Sequence, residues 1–226
     1  MDASSKKKLQ KYRTMSYFIE AGIEIIEEEG LSSLSIRKAA DKAGYNSATL
    51  YHYFSGLDEL AYFSCMKFVD EYAKNLPDYL SQARSPIEKY LKVWECFCVH
   101  SFHHPDVFRF LFFQYPEHKG QFSHYLEEFY RIFPKNWSDE IQDYQKMLTS
   151  ERLYDREYIA LTKSLEKEKI QISQAEISQI NSMNILLYRG MLDTMSDCDA
   201  DLTPERAAKE TIQYMSRTLS AFHVIS

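Results

Sequence analysis

Glycine and cysteine are scarce in this chain of 226 residues, with six of the one and four of the other. An unbroken run of the ~18 or more apolar residues that a membrane-spanning helix needs is missing, which excludes such a span. The cysteines (Cys65, Cys96, Cys98 and Cys198) are too few and too scattered for the disulfide framework of a small secreted domain. Met1-Asp2-Ala3-Ser4-Ser5-Lys6-Lys7-Lys8 lacks the apolar core and cleavage site of a signal peptide, so the expected location is the cytoplasm, with reduced thiols. Sustained β-type alternation between turn signals is also lacking, and the expectation is an all-α protein. No Ser-His-Asp order, glycine-rich phosphate loop or paired-carboxylate motif stands out, so neither a catalytic residue nor a cofactor is expected.

The little glycine present is concentrated. Gly30, Gly44 and Gly56 fall within residues 18–60 and cut that stretch into short pieces. Glycine accepts φ > 0 at little cost and so suits the residue just past a helix end. The pieces Ser35–Ala43 and Asn46–Phe54 read as two short helices joined through Gly44-Tyr45. This is the helix-turn-helix pattern, whose second helix can enter a DNA major groove.

The stretch resembles the N-terminal domain of the TetR family of bacterial transcriptional regulators. The resemblance rests on Phe18-Ile19-Glu20-Ala21-Gly22-Ile23 running to Glu29-Gly30, and on Ser35-Ile36-Arg37-Lys38-Ala39-Ala40-Asp41-Lys42-Ala43-Gly44. It rests most of all on Ala48-Thr49-Leu50-Tyr51-His52-Tyr53-Phe54 with Asp58-Glu59-Leu60 beyond. It ends near Cys65. It implies a helix-turn-helix DNA-binding domain over 1–56 and a larger helical effector-binding and dimerisation domain over 57–226. The expected partners are double-stranded operator DNA, a small-molecule effector and a second copy of the chain, with no membrane. By resemblance, Ser35 lies where the family contacts a phosphate. Arg37, on the exposed side of the same helix, can reach a phosphate or a guanine edge. Asn46 caps the recognition helix and leaves the small Ser47, Ala48 and Thr49 facing base edges. Tyr51 and His52 occupy the pair of positions that meets the DNA backbone. One departure is plain: Gly56-Leu57 stands where the family has a polar cap and a phosphate-clamping lysine. Ser55, with Asp58 three residues on, is the expected substitute cap.

Charge is sorted along the chain. Residues 1–56 hold eight Lys and Arg against seven Asp and Glu, and the remainder carries the net negative balance of the protein. Lys6, Lys7, Lys8, Lys11 and Arg13 precede the acidic Glu24 and Glu27–Glu29. A basic leading arm suits phosphate or minor-groove contact, or is a solvated tail.

Beyond residue 56 helix follows helix. Ser85-Pro86-Ile87-Glu88, Ser173-Gln174-Ala175-Glu176 and Thr203-Pro204-Glu205 are start signals, Ser138-Asp139-Glu140 is another, and Pro105, Pro116 and Pro134 punctuate the middle. Helices are expected over 8–29, 35–42, 46–53, 57–80, 86–104, 106–115, 119–133, 138–168, 174–196 and 204–223. Fifteen of the 33 aromatic residues lie between Tyr90 and Trp137, where they either line a cavity or fill a core. By resemblance this region holds the effector pocket, with Trp94, Phe97, Phe112, Tyr125, Phe129 and Phe133 as candidate walls. Cys96, His100 and His104 recur every fourth residue, yet the aromatic neighbours make Cys96 a small buried hydrophobe and His104 precedes Pro105, so no metal is expected. Apolar stripes on the last two helices (Ile177, Ile180, Leu187, Met191 and Met195; Ala208, Ile212, Met215, Leu219 and Phe222) serve an intrachain core or, by resemblance, the dimer interface. The reading is a homodimeric repressor released from its operator by an effector. The alternatives are a ligand-activated or activating regulator, or a metabolite-binding protein with a vestigial helix-turn-helix.

Overall fold

The computed structural model describes residues 3–114, 121–135, 137–196 and 202–225. Its described residues form α-helices joined by short 3-10, π and turn segments, with no strand among them. An N-terminal helix-turn-helix domain is followed by a larger helical domain. In order, the helices are α1 (Ala3–Glu29), α2 (Ile36–Lys42), α3 (Ser47–Leu50), α4 (Leu57–Ser81), α5 (Pro86–His103), α6 (Pro105–Arg109), α7 (Phe122–Ile132), α8 (Gln145–Leu148), α9 (Leu153–Glu168), α10 (Gln174–Ser196) and α11 (Pro204–Ala221). Packing divides the chain into one unit of Met1–Val69 with Gly120–Asn136 and another of Asp70–Lys119 with Trp137–Ser226. These units describe which residues pack together.

The first unit closes around Phe18 of α1, which meets the rings of Tyr45, Tyr53 and Phe54 at 5.1, 6.2 and 6.1 Å. Phe54 contacts Phe63 of α4, and Tyr125 of α7 lies 4.8 Å from Tyr62 and 5.2 Å from Phe63. At the end of α2, Gly44 adopts φ 78°, a conformation that costs side-chain-bearing residues more than glycine. This turns the chain so that Tyr45 N–H donates to Ala40 O at 2.9 Å. In the second unit Phe97 is a hub, with Tyr72, Trp94, Phe108, Phe112 and Tyr188 all within 5.2–6.1 Å.

The start signals at Ser85, Ser173 and Thr203 are real caps: each side chain accepts the N–H of the residue three positions on. Four expectations need correction. The recognition segment expected as a helix over 46–53 is α-helical only over Ser47–Leu50, and Tyr53 and Phe54 N–H both turn back to Leu50 O. The helix expected over 106–115 is α6 followed by a π-helical Phe110–Gln114, and residue 115 lies outside the described residues, as do 119–120, Pro116 and Cys198. The single helix expected over 138–168 is a 3-10 segment (Asp139–Tyr144), α8, a break and α9. At that break Thr149 and Ser150 hydroxyls donate to carbonyls four residues back, and Arg156 Nη2 and Nε cap Leu148 O and Ser150 O. Finally, at the start of α4 it is Glu59, not Asp58, that reaches back to the Ser55 N–H (2.5 Å), while Gly56 O accepts the Leu60 N–H.

Candidate functional site

The DNA-reading expectations fall on one compact segment. Ser35 Oγ accepts the Lys38 N–H at 3.2 Å and so starts α2. Arg37 is largely exposed, and Asp41, 3.8 Å away and equally open, holds it only weakly. Asn46 Oδ1 accepts both the backbone N–H of Thr49 (2.8 Å) and its hydroxyl (3.0 Å). This pair of bonds fixes the first turn of α3, where Ala48 is exposed, Ser47 and Thr49 are half-buried, and Leu50 faces the core. Tyr51 is 59% exposed and His52 is open beside it.

Electrostatics are sorted across the same unit. Lys42 is bonded to Glu24 and Glu28 (3.2 and 2.9 Å), contacts that raise its pKa, and Lys38 is bonded to Glu29 at 2.7 Å. The acidic end of α1 therefore neutralises two lysines of α2 and leaves Arg37 as the outward cation of that helix. The basic arm does something the sequence pattern did not disclose. Lys7, Lys8, Gln10 and Lys11 of α1 converge with His52 and Tyr53 on a groove of about 600 Å³. Positive charge thus lies next to the turn that Asn46 caps.

The six candidate effector-pocket residues are divided between the two units. Trp94, Phe97 and Phe112 belong to the second unit; Tyr125, Phe129 and Phe133 belong to the first, on or just after α7. Glu157 of α9 and Asn181 and Asn184 of α10, which the sequence pattern did not single out, are buried polar residues. A signal for them existed, since both asparagines sit in the same periodic stripe as Ile177, Ile180 and Tyr188. Cys96 is fully buried with its thiol toward Tyr72 O (3.8 Å), while the His100 ring pairs with Asn75. Burial pushes the Cys96 thiol up and the His100 ring down.

The stripes of the last two helices divide by burial. Ile177, Ile180, Ala208, Met215 and Leu219 are core residues of their own unit. A separate apolar groove of about 870 Å³ remains open between α10 and α11, lined chiefly by Met183, Leu186, Leu187, Met191, Tyr214 and Arg217, and Leu186 is 68% exposed. Among the described helices none is long and apolar enough to cross a membrane, and no cluster of three or more His, Cys, Asp or Glu could hold a metal.

Residues 18–61 match the sequence pattern described as "Bacterial regulatory proteins, tetR family". Among curated proteins none matches the chain. Among solved structures, RolR in complex with resorcinol is similar over 92% of this chain and 88% of its own, at 15% identity and a TM-score of 0.59. Thermus thermophilus FadR, a TetR-family repressor in complex with lauroyl-CoA, is similar over 91% and 92%, at 14% identity and a TM-score of 0.52. PfmR, a TetR-family regulator from Thermus thermophilus, is similar over 90% and 97%, at 12% identity and a TM-score of 0.51. Identities this low show a shared fold. The matched segment, residues 18–61, carries the N-terminal domain pattern of the TetR family of bacterial transcriptional regulators.

Proposed function

We propose that the protein is a homodimeric repressor that grips an operator through residues 1–56 and releases it when a small molecule occupies the 57–226 domain. The observation that carries this reading is the Asn46-capped turn, which offers Ala48, Thr49, Tyr51 and His52 outward beside Lys7, Lys8 and Lys11. Small side chains at the helix start let the backbone approach base edges, and the flanking cations supply salt-dependent attraction. Ser35, Arg37 and Ser47 complete the DNA-facing set. The exposed Leu57 adds no phosphate clamp, so the arm takes that share of the work. RolR with resorcinol and FadR with lauroyl-CoA show that this fold accommodates small molecules, which supports an effector for this chain too. The open α10/α11 groove supports the dimer: a second copy laying the same face upon it makes a four-helix bundle by two-fold symmetry. The protein then acts as a regulator in the cytoplasm and not as an enzyme. Because linkage is reciprocal, effector and operator weaken each other's binding by one factor.

Anisotropy titration against DNA flanking the protein's own gene tests the reading. Wild type binds saturably, and Tyr51→Ala weakens binding to every sequence by about tenfold, or ~1.4 kcal/mol. A folded Tyr51→Ala protein that binds like wild type would end it.

A further inference from the structure

Between α5, α9 and α10 a group of polar side chains is buried among aromatic rings, and its hydrogen bonding is lopsided. Glu157, Asn181 and Asn184 are 3%, 0% and 0% exposed. Asn184 Nδ2 donates to the Tyr90 hydroxyl at 2.8 Å, and Trp94 Nε1 donates to the same oxygen at 3.0 Å. The Trp94 N–H also reaches the Glu157 carboxyl. Asn181 Nδ2 donates to Tyr154 O at 3.0 Å. What remains without a partner among the described residues is Glu157 Oε2, Asn181 Oδ1 and Asn184 Oδ1, with the Tyr188 hydroxyl beside them. Tyr90, whose oxygen already accepts twice, keeps its own proton to donate. Unmet polar atoms gathered in one seam are costly in a core that only has to fold, and each asks for a hydrogen-bond partner from elsewhere.

The surroundings narrow the donor's chemistry. Trp94 lies 5.5 Å from Tyr188, and Phe97 lies 5.2 Å from the same ring, so flat apolar faces border the seam. The neighbouring cation, Arg156, caps Leu148 O and Ser150 O and stacks 5.0 Å over Phe112. Burial pushes the Glu157 carboxyl well above the usual carboxylate range, against the opposing pull of Arg156 and the Trp94 N–H, and so favours its uncharged form. Tyr72, Tyr90, Tyr188 and Cys98, the other titratable groups that feel Glu157, are likewise pushed up and uncharged. An organic ammonium would have to ionise Glu157 inside this box beside Arg156, and a carboxylate would face the two asparagine carbonyl oxygens.

We propose that the Glu157–Asn184–Asn181 seam, with Tyr90 and Trp94, is the recognition centre of the effector site and takes a small uncharged molecule bearing hydroxyl donors on a flat aromatic ring. This rests on the effector reading above. Ring hydroxyls donate to the asparagine oxygens and exchange hydrogen bonds with the uncharged Glu157 carboxyl, the Tyr90 hydroxyl donates in return, and the ring packs on Trp94 and Tyr188.

The probe is benzene-1,3-diol, with benzoate and benzylammonium as charged counterparts of similar size. Trp137→Phe leaves Trp94 as the sole emitter. The diol quenches that emission saturably and the charged probes do not. Asn184→Leu and Glu157→Leu weaken diol binding at least tenfold yet melt at or above the wild-type temperature, because they delete unmet polar atoms. Glu157→Gln, which keeps an uncharged acceptor, stays within a few-fold of wild type. The proposal is overturned by tighter binding of either charged probe, by no saturable diol signal, or by leucine variants that melt below wild type. Adding protein-free bacterial extract to the operator complex reports on the effector reading separately: release by extract without diol binding leaves that reading standing and ends this one.

Discussion

Replacing Gly22 by alanine tests how the DNA-reading unit is held together. Gly22 is buried in α1, where an added Cβ would lie 2.3 Å from Ser64 Oγ of α4, 3.3 Å from Ser64 Cβ and 3.7 Å from Leu34 Cδ1. Helix propensity alone favours alanine by ~1 kcal/mol. Against that gain, Ser64 is fully buried and its hydroxyl donates to Leu60 O at 2.9 Å, so turning it away breaks a bond with a net value of ~1 kcal/mol. The remaining 3.3 Å approach forces α1 and α4 apart slightly, and overpacking of this kind costs ~1–3 kcal/mol. The sum is a loss of about 1–3 kcal/mol for Gly22→Ala. Ser64→Ala alone costs ~1 kcal/mol or less, since Leu60 O keeps its helical partner. Combined, the two changes remove the 2.3 Å clash, so urea denaturation should give a favourable coupling of ~1 kcal/mol or more in a double-mutant cycle. Gly22→Ala protein as stable as wild type, or strictly additive effects, would refute the close approach of α1 and α4.

Three further outcomes follow from the same geometry. Asn46→Ala removes both bonds to Thr49 and should cost ~1 kcal/mol of stability while weakening DNA binding generally, which melts and operator titrations will show. Arg37→Ala should weaken all DNA sequences alike and reduce the slope of log K against log salt by about 1, and an unchanged slope would remove Arg37 from the phosphate contacts. Because the folded-state pKa of Glu157 is raised, its contribution is full below about 4.5, the unfolded value, and is lost as pH rises toward the folded one. Wild type should therefore lose stability relative to Glu157→Gln as denaturation is repeated at increasing pH above that value; parallel curves would contradict a buried neutral carboxyl.

The N-terminal domain was legible because its signals are local: Asn46 and Ser35 cap within their own turn, and Gly44 marks its turn by a conformation only glycine takes cheaply. The second domain hid what depends on distant partners. The break after Leu148 is capped by Arg156, a residue of the following helix that no local propensity reveals. Fifteen aromatics in one window looked like one cluster, yet Tyr125 packs on Tyr62 and Phe63 while Phe97 packs on Tyr188. Periodicity found the apolar positions of α10 and α11 without separating Leu219, which fills its own core, from Leu186, which stands open. Glu157 looked like one of many helical glutamates, because its burial is set by α5 and α10 packing around it.

The central claim is a dimeric reader of paired half-sites, and a footprint on DNA selected by the protein tests it most directly. Two protected half-sites should form an inverted repeat with centres about 34–36 Å apart, one turn of DNA, or somewhat more. Leu186→Glu with Met191→Glu, which places charge in the open α10/α11 groove, should give monomers by sedimentation and lose the paired footprint while leaving the fold intact. A single unpaired half-site protected by wild type, or a paired footprint that survives in the charged variant, would contradict the account.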